Sequence, residues 1–352
     1  MEGYKVIPKL RKGKVLNPAH FGCLEGIPTL NITSECLFQC TYCYARGYSQ
    51  APKKGEVYLY TNFPNLLEKE LSKKRALPQW IILNTSSDCF QFHPDILNVT
   101  YRVIEILLDY GIGISFLTKG TIPLRFFNLF GRFPEKIFSQ IGIVSLSESY
   151  WKRYEPNTPS PEKRLENIQR FKEIGIIPEI RIDPIIPFVT DTETEIRNLF
   201  RRLSEMGIRR VTLSYLHLRP AIERQLMKEL SSLHQRLIES CFRTRDWQTV
   251  GSSTKTKLLP KAIREKGYKR IKEIAEIFGV ATLVCQCKNP DLKGDLCGSG
   301  RVNPIRNSGA ALNPAEIILK SNSAAEQRGI ISNGVKAILG KRSPVQLPLF
   351  RC

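Results

Sequence analysis

Short apolar segments alternate with amphipathic stretches of helical length from residue 29 to about residue 240. Six segments have the strand pattern, and a stretch with helical spacing of apolar residues follows each of them. The six are TLNITSE, WIILNTSS, IGISFLTKG, IGIVSLSES, IPEIRIDPIIP and IRRVTLSYLHL. Strands that alternate with helices in this way form βαβ units with a parallel sheet. The sequence therefore predicts an α/β fold, either a partial (β/α)6 barrel or a flat doubly wound sheet.

The pattern predicts four parts of the chain. An N-terminal segment covers residues 1–28, and the partial barrel covers residues 29–245. A basic, cysteine-rich C-terminal extension follows over residues 246–300. Residues 301–352 are polar, rich in Asn, Ser, Gly and Ala, and are predicted to form a flexible tail.

Polar residues stand at the ends of the six predicted strands. In a barrel of parallel strands these ends meet at one mouth, where the chemistry of such barrels takes place. The residues are Ser34, Glu35, Thr85, Ser86, Ser87, Asp88, Thr118, Lys119, Ser145, Ser147, Arg181, Asp183, Tyr215 and His217. We expect an active site at this mouth.

Three cysteines follow the first predicted strand within eight residues. Cys36, Cys40 and Cys43 form a C-x3-C-x2-C motif in CLFQCTYCY. The N-terminus lacks the apolar segment of a secretory signal, and no apolar run is long enough to span a membrane, so a cytoplasmic protein with reduced thiols is expected. Zinc usually takes four ligands, and no fourth lies nearby. Three cysteines on one short loop can instead hold three corners of a [4Fe–4S] cluster and leave the fourth iron open for S-adenosylmethionine (SAM).

The motif, with Tyr42 just before its last cysteine and a strand before the loop, resembles the radical SAM superfamily. The segments TLNITSECLFQCTYCYARGY, NTSSDCFQFHPD, FLTKG, SLSES and RIDPIIP resemble its spore photoproduct lyase-like branch, from about residue 14 to residue 220. The resemblance implies a [4Fe–4S] cluster on Cys36, Cys40 and Cys43, and cleavage of SAM to a 5′-deoxyadenosyl radical. It also implies an electron donor such as flavodoxin or ferredoxin.

The resemblance also assigns roles to residues of the mouth. Tyr42 is placed against the adenine or the cluster, and Ser87 and Asp88 are placed at SAM. Two further residues, Lys119 and Ser145, match those that hold the methionine end of SAM, where a cation faces a carboxylate. Arg181 is expected to clamp a phosphate or a SAM hydroxyl. For Lys119 and Arg181 an ion pair at the strand end is the alternative.

Two residues are predicted to take part in the radical chemistry. Tyr44 matches a tyrosine of the branch's radical relay. The position of the branch's hydrogen-donating cysteine is occupied by Thr85, so Cys89, four residues further on, is the candidate donor; a buried inert thiol is the alternative. TSE also replaces the usual Tyr-Arg-Gly before the first cysteine. Repair of spore photoproduct itself is therefore not expected.

A second group of cysteines lies in the extension. Cys285, Cys287 and Cys297 form a C-x-C-x9-C pattern within thirteen residues. An auxiliary iron–sulfur cluster or a zinc site is one interpretation, and reduced structural thiols near the substrate are the other. The candidates for a fourth ligand are Cys23, Cys241 and Cys352.

The charge of the chain indicates a polyanionic partner. The formal net charge is +20, from 53 Lys and Arg against 33 Asp and Glu. Such a surface gains affinity by releasing the counterions of phosphates. The basic segment KTKLLPKAIREKGYKRIK is the predicted phosphate-binding region, with a solvated helix face as the alternative.

The segment VQLPLFRC ends the sequence. Gln346, Leu347, Leu349 and Phe350 fit the Q-L-x-L-F peptide by which bacterial repair proteins bind the β sliding clamp, where apolar anchors enter a preformed pocket. An apolar C-terminus that packs on the domain is the alternative. Clamp binding would favour DNA over RNA as the polyanion.

The sequence thus predicts a radical SAM enzyme that acts on DNA, in repair or modification. Two alternatives stay open. One is a radical SAM enzyme that acts on a peptide or a small metabolite, and the other is a non-catalytic iron–sulfur protein associated with DNA.

Overall fold

The structure is a computed structural model that describes residues 4–20, 22–48, 51–243, 246–249 and 255–295. The chain divides into two units, Met1–Gly309 and Ala310–Cys352, and all the described residues belong to the first. The predictions made for Cys297 and for the tail peptide therefore lie outside the described residues. No helix among those described is long and apolar enough to cross a membrane.

Fourteen strands are found in the described residues. They are β1 (Lys5–Lys9), β2 (Asn17–Pro18), β3 (Pro28–Leu30), β4 (Thr33–Ser34), β5 (Glu56–Tyr60), β6 (Trp80–Leu83), β7 (Gly113–Thr118), β8 (Ile137–Gly142), β9 (Glu179–Ile185), β10 (Arg210–Tyr215), β11 (His217–Leu218), β12 (Gln248–Thr249), β13 (Lys255–Leu258) and β14 (Ala281–Val284).

The same part of the chain forms nine α-helices. They are α1 (Phe63–Leu71), α2 (Pro94–Asp109), α3 (Leu124–Phe130), α4 (Glu148–Tyr154), α5 (Pro161–Glu173), α6 (Glu193–Glu205), α7 (Pro220–Glu229), α8 (Ser232–Phe242) and α9 (Lys261–Ile277). Short 3-10 turns cover Gly22–Leu24, Tyr44–Gly47, Pro134–Lys136 and Gln286–Lys288.

The central sheet has the strand order β14-β10-β9-β8-β7-β6-β3-β2. All pairings from β3 to β14 are parallel, and only β2 pairs antiparallel at the edge. All six predicted segments overlap strands of this parallel sheet, which has intervening helices as in a partial barrel, although IGIVSLSES overlaps β8 only at the last two residues of that strand. A seventh parallel strand, β14, comes from the predicted extension and pairs with β10.

One predicted strand is placed too late in the sequence. The segment IGIVSLSES covers residues 141–149, whereas β8 ends at Gly142 and α4 begins at Glu148. The apolar residues Ile143 and Val144 are buried just after the strand, so burial rather than strand structure explains their pattern. Ser147 accepts a hydrogen bond from the Tyr150 amide and caps the helix that the strand prediction missed.

Helix ends follow the signals in the sequence. Ser160 caps α5 through the amide of Lys163, with Pro161 as its first residue, and Gly175 follows the helix with φ +77°. Thr192, rather than Asp191, caps α6 by accepting a hydrogen bond from the Glu195 amide. These caps fix where each helix returns the chain to the sheet. The core between helices and sheet is a single large cluster rich in Ile, Leu and Phe.

Candidate active site

The cysteine loop begins just after β4, a strand of the small three-stranded sheet β1-β5-β4. Hydrogen bonds to the loop backbone hold it in place. The amide of Leu37 donates to Gln91 Oε1 over 2.8 Å, and the amide of Cys43 donates to the carbonyl of Cys40 over 3.0 Å. Arg46 Nη1 donates to the Cys40 carbonyl over 3.3 Å and to Glu229 Oε2 over 3.0 Å. These contacts fix the loop conformation from outside, without using the cysteine sulfurs.

The three cysteines line one wall of a cavity of about 400 Å³. Burial raises the pKa of all three thiols, that of Cys40 to about 12. The neighbouring carboxylate of Glu155 raises the Cys40 pKa further, whereas Lys119 lowers it. A bare thiolate is therefore disfavoured at this wall, and a bound cationic metal centre is the group that would stabilise it.

The predicted SAM-binding residues separate into those at the cavity and those away from it. Tyr42, Tyr44, Ser87, Asp88, Lys119 and Arg181 line the cavity with the three cysteines. Ser145 and Cys89 do not line it. Ser145 is buried, where it donates to Glu195 and accepts from the amide of Ser147 over 2.9 Å. This arrangement is that of a residue that stabilises the strand end.

Cys89 is fully buried in the hydrophobic core. Its carbonyl accepts a hydrogen bond from Thr100 Oγ1 of α2 over 3.0 Å, which ties the loop to that helix. This position fits the alternative of a buried inert thiol and gives no support to a hydrogen-donating role.

Asp88 has both carboxylate oxygens engaged within the protein. One oxygen accepts from the amide of Phe90 over 2.8 Å, and the other accepts from the amide of Lys119 over 2.8 Å. Thr118 Oγ1 lies 2.8 and 2.9 Å from the two oxygens. Asp88 therefore joins the loops after β6 and β7 and positions Lys119. Ser87 lies beside it, with its Oγ 2.9 Å from Thr33 Oγ1 and 2.9 Å from Asn84 Nδ2.

The Lys119 side chain lines the cavity and approaches the ring of Tyr42. Its Nζ lies 5.8 Å from the centre of the Tyr42 ring and donates to the carbonyl of Asp183 over 3.3 Å. The side chain passes over Gly142, where a Cβ atom would lie 2.9 Å from both Cγ and Nζ of the lysine. The glycine therefore leaves the space that the lysine occupies. With one carbonyl as its polar contact, the ammonium group is suited to bind a carboxylate.

A buried ion pair between Glu155 and Arg164 holds the hydroxyl of Tyr42 in place. Tyr42 donates its hydroxyl to Glu155, and Tyr150 donates to the same carboxylate over 3.3 Å. Arg164 Nη1 lies 2.5 Å from Glu155 Oε2, and both side chains are 1% exposed. Burial raises the Glu155 pKa, but the charges of Arg164 and Lys119 outweigh it and the net pKa is lowered. Sequence reasoning missed this network, because Tyr42 lies 113 positions from the carboxylate that it contacts.

Arg181 forms the strand-end ion pair that was the alternative to a ligand clamp. Its Nε lies 3.0 Å from Asp183 Oδ2, and Lys288 Nζ lies 2.6 Å from the same oxygen. Burial raises the Asp183 pKa, whereas Lys288 and Arg181 lower it, and the net value is about 2. Asp183 is therefore a carboxylate at neutral pH, and it holds both cations at the cavity wall.

Tyr44 lines the cavity and is partly exposed to solvent. Its hydroxyl donates to the carbonyl of Thr85, and the Arg219 guanidinium lies 5.0 Å from the centre of its ring. Tyr48 packs against it edge to face at 5.9 Å. The predicted relay tyrosine thus lies at the mouth, between the cysteine loop and the loop after β6.

His217 was among the predicted strand-end residues, but nothing in the sequence indicated its role. It lines the cavity. Its Nε2 is buried without a hydrogen-bond partner among the described residues. Burial lowers its pKa to about 3, with a further contribution from the positive charge of Lys288. A neutral imidazole nitrogen of this kind is free to meet a polar group of a ligand.

The residues of the cavity fit a [4Fe–4S] cluster and SAM. Three soft sulfur donors on one loop suit an iron–sulfur cluster. The Lys119 ammonium in the same cavity suits the carboxylate of an amino acid, and His217 Nε2, without a partner among the described residues, could accept from or donate to a polar ligand atom. Cys36, Cys40 and Cys43 would hold the cluster, and Lys119 would bind the methionine carboxylate.

Comparisons with known proteins give a family match and several relatives. Residues 30–203 match the family model described as the Radical SAM superfamily. An uncharacterized protein of the Acidianus two-tailed virus is 21% identical over 202 residues, which are 53% of this chain and 66% of the viral protein. An uncharacterized protein of Mycobacterium bovis is 25% identical over 244 residues, 67% of this chain and 71% of that protein. A Methanocaldococcus jannaschii protein is 28% identical over 191 residues, 53% and 70% of the two chains.

Solved structures of spore photoproduct lyase share the fold. The lyase complexed with dinucleoside spore photoproduct has a TM-score of 0.60 and 15% identity, over 79% of this chain and 81% of the lyase. A mutant with bound AdoMet and the same dinucleoside has a TM-score of 0.60 and 14% identity, over the same shares. The family match identifies residues 30–203, which include the cysteine loop, as a radical SAM domain, and the chain as a radical SAM enzyme.

Proposed function

We propose that this enzyme holds a [4Fe–4S] cluster on Cys36, Cys40 and Cys43 and acts on DNA, in repair or modification. The cluster and SAM together supply a 5′-deoxyadenosyl radical when they are bound. The observation that supports the cluster and SAM is the shared cavity of about 400 Å³, which the three cysteines, Lys119 and Tyr42 all line. The net charge of +20 supports DNA as the substrate.

The protein's own residues orient the bound groups. Lys119 would pair with the methionine carboxylate, and Tyr42, fixed by Glu155, would form the wall beside the adenine or the cluster. Tyr44 at the mouth lies where it would separate the radical from solvent and take part in a hydrogen relay. A base within duplex DNA would have to be extruded to reach this cavity, so damaged or single-stranded DNA is the favoured substrate.

Charge supports DNA as the substrate class, but the structure favours a different surface from the one that the sequence predicted. In helix α9, Lys261, Lys269 and Lys272 each pair with a glutamate four residues on, at 3.8, 3.9 and 4.0 Å. Arg264 of the same helix is buried and pairs with Asp291. These contacts fit the alternative of a solvated helix face for much of the predicted phosphate-binding segment.

A basic ribbon at the N-terminus is the better candidate for phosphate contacts. We define it as Lys5, Lys9, Arg11, Lys12 and Lys14, on and just after β1. Two of its cations form cation–π contacts with tyrosines. Lys9 Nζ is 4.8 Å from the ring centre of Tyr58, and the Arg11 guanidinium is 5.3 Å from the ring centre of Tyr60.

The basic ribbon lies on the small sheet that also leads into the cysteine loop. Strand β5 pairs with β1 on one side and with β4 on the other, and β4 ends two residues before Cys36. Single-stranded nucleic acid is bound by such combinations of cations and aromatic rings. The likeness to a lyase solved with a dinucleoside spore photoproduct adds support for a nucleic-acid substrate.

The test is the salt dependence of binding to single-stranded DNA. The logarithm of the binding constant falls with the logarithm of salt with a slope of about −0.7 for each neutralised phosphate. The triple variant Lys9→Ala, Lys12→Ala, Lys14→Ala is expected to reduce this slope by about two. The matched control is Lys261→Ala, Lys269→Ala, Lys272→Ala, which removes the same charge from α9 and should leave the slope nearly unchanged.

Absence of DNA binding at low salt would contradict the proposed substrate and favour the alternative of a peptide or small metabolite. Transfer of deuterium from labelled DNA into 5′-deoxyadenosine would show directly that DNA is the substrate.

Two partners are also proposed. A reduced electron carrier such as flavodoxin or ferredoxin would reduce the cluster. The bacterial β sliding clamp would bind the peptide Gln346, Leu347, Leu349, Phe350, which lies outside the described residues. Deleting residues 346–350 should abolish clamp binding in a pull-down with purified clamp and leave SAM cleavage intact.

A further inference from the structure

A second group of cysteine sulfurs comes together from two distant segments of the chain. Cys23 lies in the 3-10 turn Gly22–Leu24, and Cys287 lies in the 3-10 turn Gln286–Lys288. Their sulfurs are 3.5 Å apart, although 264 positions separate them in sequence. The sulfur of Cys285 lies 3.0 Å from that of Cys287. From the sequence, Cys23 was one of three candidates for a fourth ligand, with Cys241 and Cys352. The structure brings the sulfur of Cys23, and not that of Cys241, next to Cys287.

The spacing of these sulfurs fits thiolates that share one metal ion. A disulfide would require an S–S distance of about 2.05 Å, and none of the three cysteines forms one. Zinc binds thiolate sulfur at about 2.3 Å in a tetrahedron, whose edges are then about 3.8 Å long. In a cuboidal iron–sulfur cluster each cysteine binds a different iron, and the sulfurs stand farther apart than around a single ion. Contacts of 3.0 and 3.5 Å therefore favour one ion over a second cuboidal cluster.

The surroundings are suited to thiolates. Cys23 and Cys285 are 3% and 0% exposed, and they form a small buried cluster of their own with Leu24 and Cys287. Arg181 Nη2 lies 4.0 Å from the Cys285 sulfur, and Lys288 follows Cys287 directly. The Arg181 guanidinium at the Cys285 sulfur is a cation that would stabilise a thiolate formed when a metal binds.

Gly22 allows the two segments to approach. Its φ is +54°, and a Cβ atom at this position would lie 2.4 Å from the Cβ of Cys287. No other residue type would permit this contact without displacing the turn. The backbone at Gly22 is thus adapted to bring Cys23 against the C-terminal turn.

We propose that Cys23, Cys285 and Cys287 bind one zinc ion. The described side chains do not yet surround a common point at coordination distance. The two S–S distances would have to increase by about 0.3 and about 0.8 Å to reach the edge length of a zinc tetrahedron. Binding converts three thiols to thiolates and releases their protons. The fourth position is left to water or another ligand.

The zinc ion would fasten the N-terminal segment to the strand β14 region at the cavity. Cys23 and Cys287 both line the cavity that the cluster cysteines line. The site would therefore stabilise part of the wall that faces the substrate. The zinc proposal does not depend on the nature of the substrate, so it can be tested independently of the DNA proposal.

Metal analysis of the full-length chain tests the site. Anaerobically reconstituted wild type should contain about one zinc and about four irons per chain. Cys23→Ser and Cys287→Ser should lose the zinc and keep the iron, whereas Cys40→Ser should lose the iron and keep the zinc. Cys241→Ser, a buried cysteine outside both groups, is the matched control and should keep both metals.

X-ray absorption at the zinc edge supplies a second measurement on wild type, which no folding defect of a variant affects. Three or four sulfur neighbours at about 2.3 Å would support the proposal. Wild type without zinc, a zinc ion with fewer than three sulfurs, retention of zinc in Cys23→Ser, or about eight irons per chain would each overturn it.

Discussion

The ammonium group of Lys119 lies 5.8 Å from the ring centre of Tyr42, which belongs to the cysteine loop of the same cavity. The amide of Lys119 is fixed by the buried carboxylate of Asp88, and the Tyr42 hydroxyl is fixed by Glu155. Both sides of this contact are therefore held by buried carboxylates. A ligand that enters between loop and lysine meets a prepared cation next to an aromatic wall.

Replacement of Lys119 by Met should weaken SAM binding to the cluster-loaded enzyme by about 10- to 100-fold, because a charged hydrogen bond contributes about 1.5–3 kcal/mol. Equilibrium dialysis with labelled SAM measures this change. Lys152→Met is the control, since Lys152 is exposed and pairs with Glu148 on α4. Equal affinity of Lys119→Met and wild type would exclude the role assigned to Lys119.

Gly142→Ala should also weaken SAM binding, but less than loss of the lysine. The added Cβ would lie 2.9 Å from Lys119 Cγ and Nζ, and the flexible side chain would have to move. The combined variant Gly142→Ala, Lys119→Met should bind no more weakly than Lys119→Met alone, because both changes act on one contact. Additive losses in the same dialysis experiment would contradict the coupling.

Glu155→Gln should destabilise the protein by about 3–5 kcal/mol, because it leaves Arg164 buried without its counter-charge. Urea unfolding of the metal-loaded protein measures the free energy. Glu148→Gln removes a carboxylate from an exposed pair and should leave stability almost unchanged. A small effect of Glu155→Gln would mean that water or rearrangement compensates the arginine.

His217 should make stability depend on pH. Its pKa is about 3 in the folded protein and about 6.5 in the unfolded chain, so the unfolded chain binds one more proton between these values. Stability is therefore full above pH 6.5 and falls as the pH decreases, by about 2 kcal/mol between pH 6.5 and 5.0.

Urea unfolding at pH 7.5 and 5.0 checks this prediction. His217→Gln should lose about 2 kcal/mol less than wild type over the interval. His20→Gln, which changes an exposed histidine, should follow the wild-type curve. Identical curves for His217→Gln and wild type would show that the imidazole is not held neutral.

The sequence predicted the fold well because its signals are local. Apolar runs bounded by Gly and Pro, and caps such as Ser160 and Thr192, depend on neighbouring residues alone. The one misplaced strand followed buried residues, Ile143 and Val144, which belong to the segment between β8 and α4. Burial and strand structure give the same pattern over so short a run.

The site was predicted less completely because it depends on contacts between distant segments. The cysteine spacing and the strand-end residues placed Tyr42, Lys119 and Arg181 at the cavity. Nothing in the sequence indicated that Asp183 would pair with both Arg181 and Lys288. Likewise, the contact between Cys23 and Cys287 arises only when β14 joins the sheet.

The central claim is that Cys36, Cys40 and Cys43 hold a cluster that cleaves SAM. The most direct measurement is chromatography of the products after anaerobic incubation of the reconstituted enzyme with SAM and dithionite. Wild type should form methionine and 5′-deoxyadenosine in equal amounts, Cys40→Ala should form neither, and Cys89→Ala, altered in the core, should retain the activity. Absence of 5′-deoxyadenosine from iron-loaded wild type, or its undiminished formation by Cys40→Ala, would contradict the account.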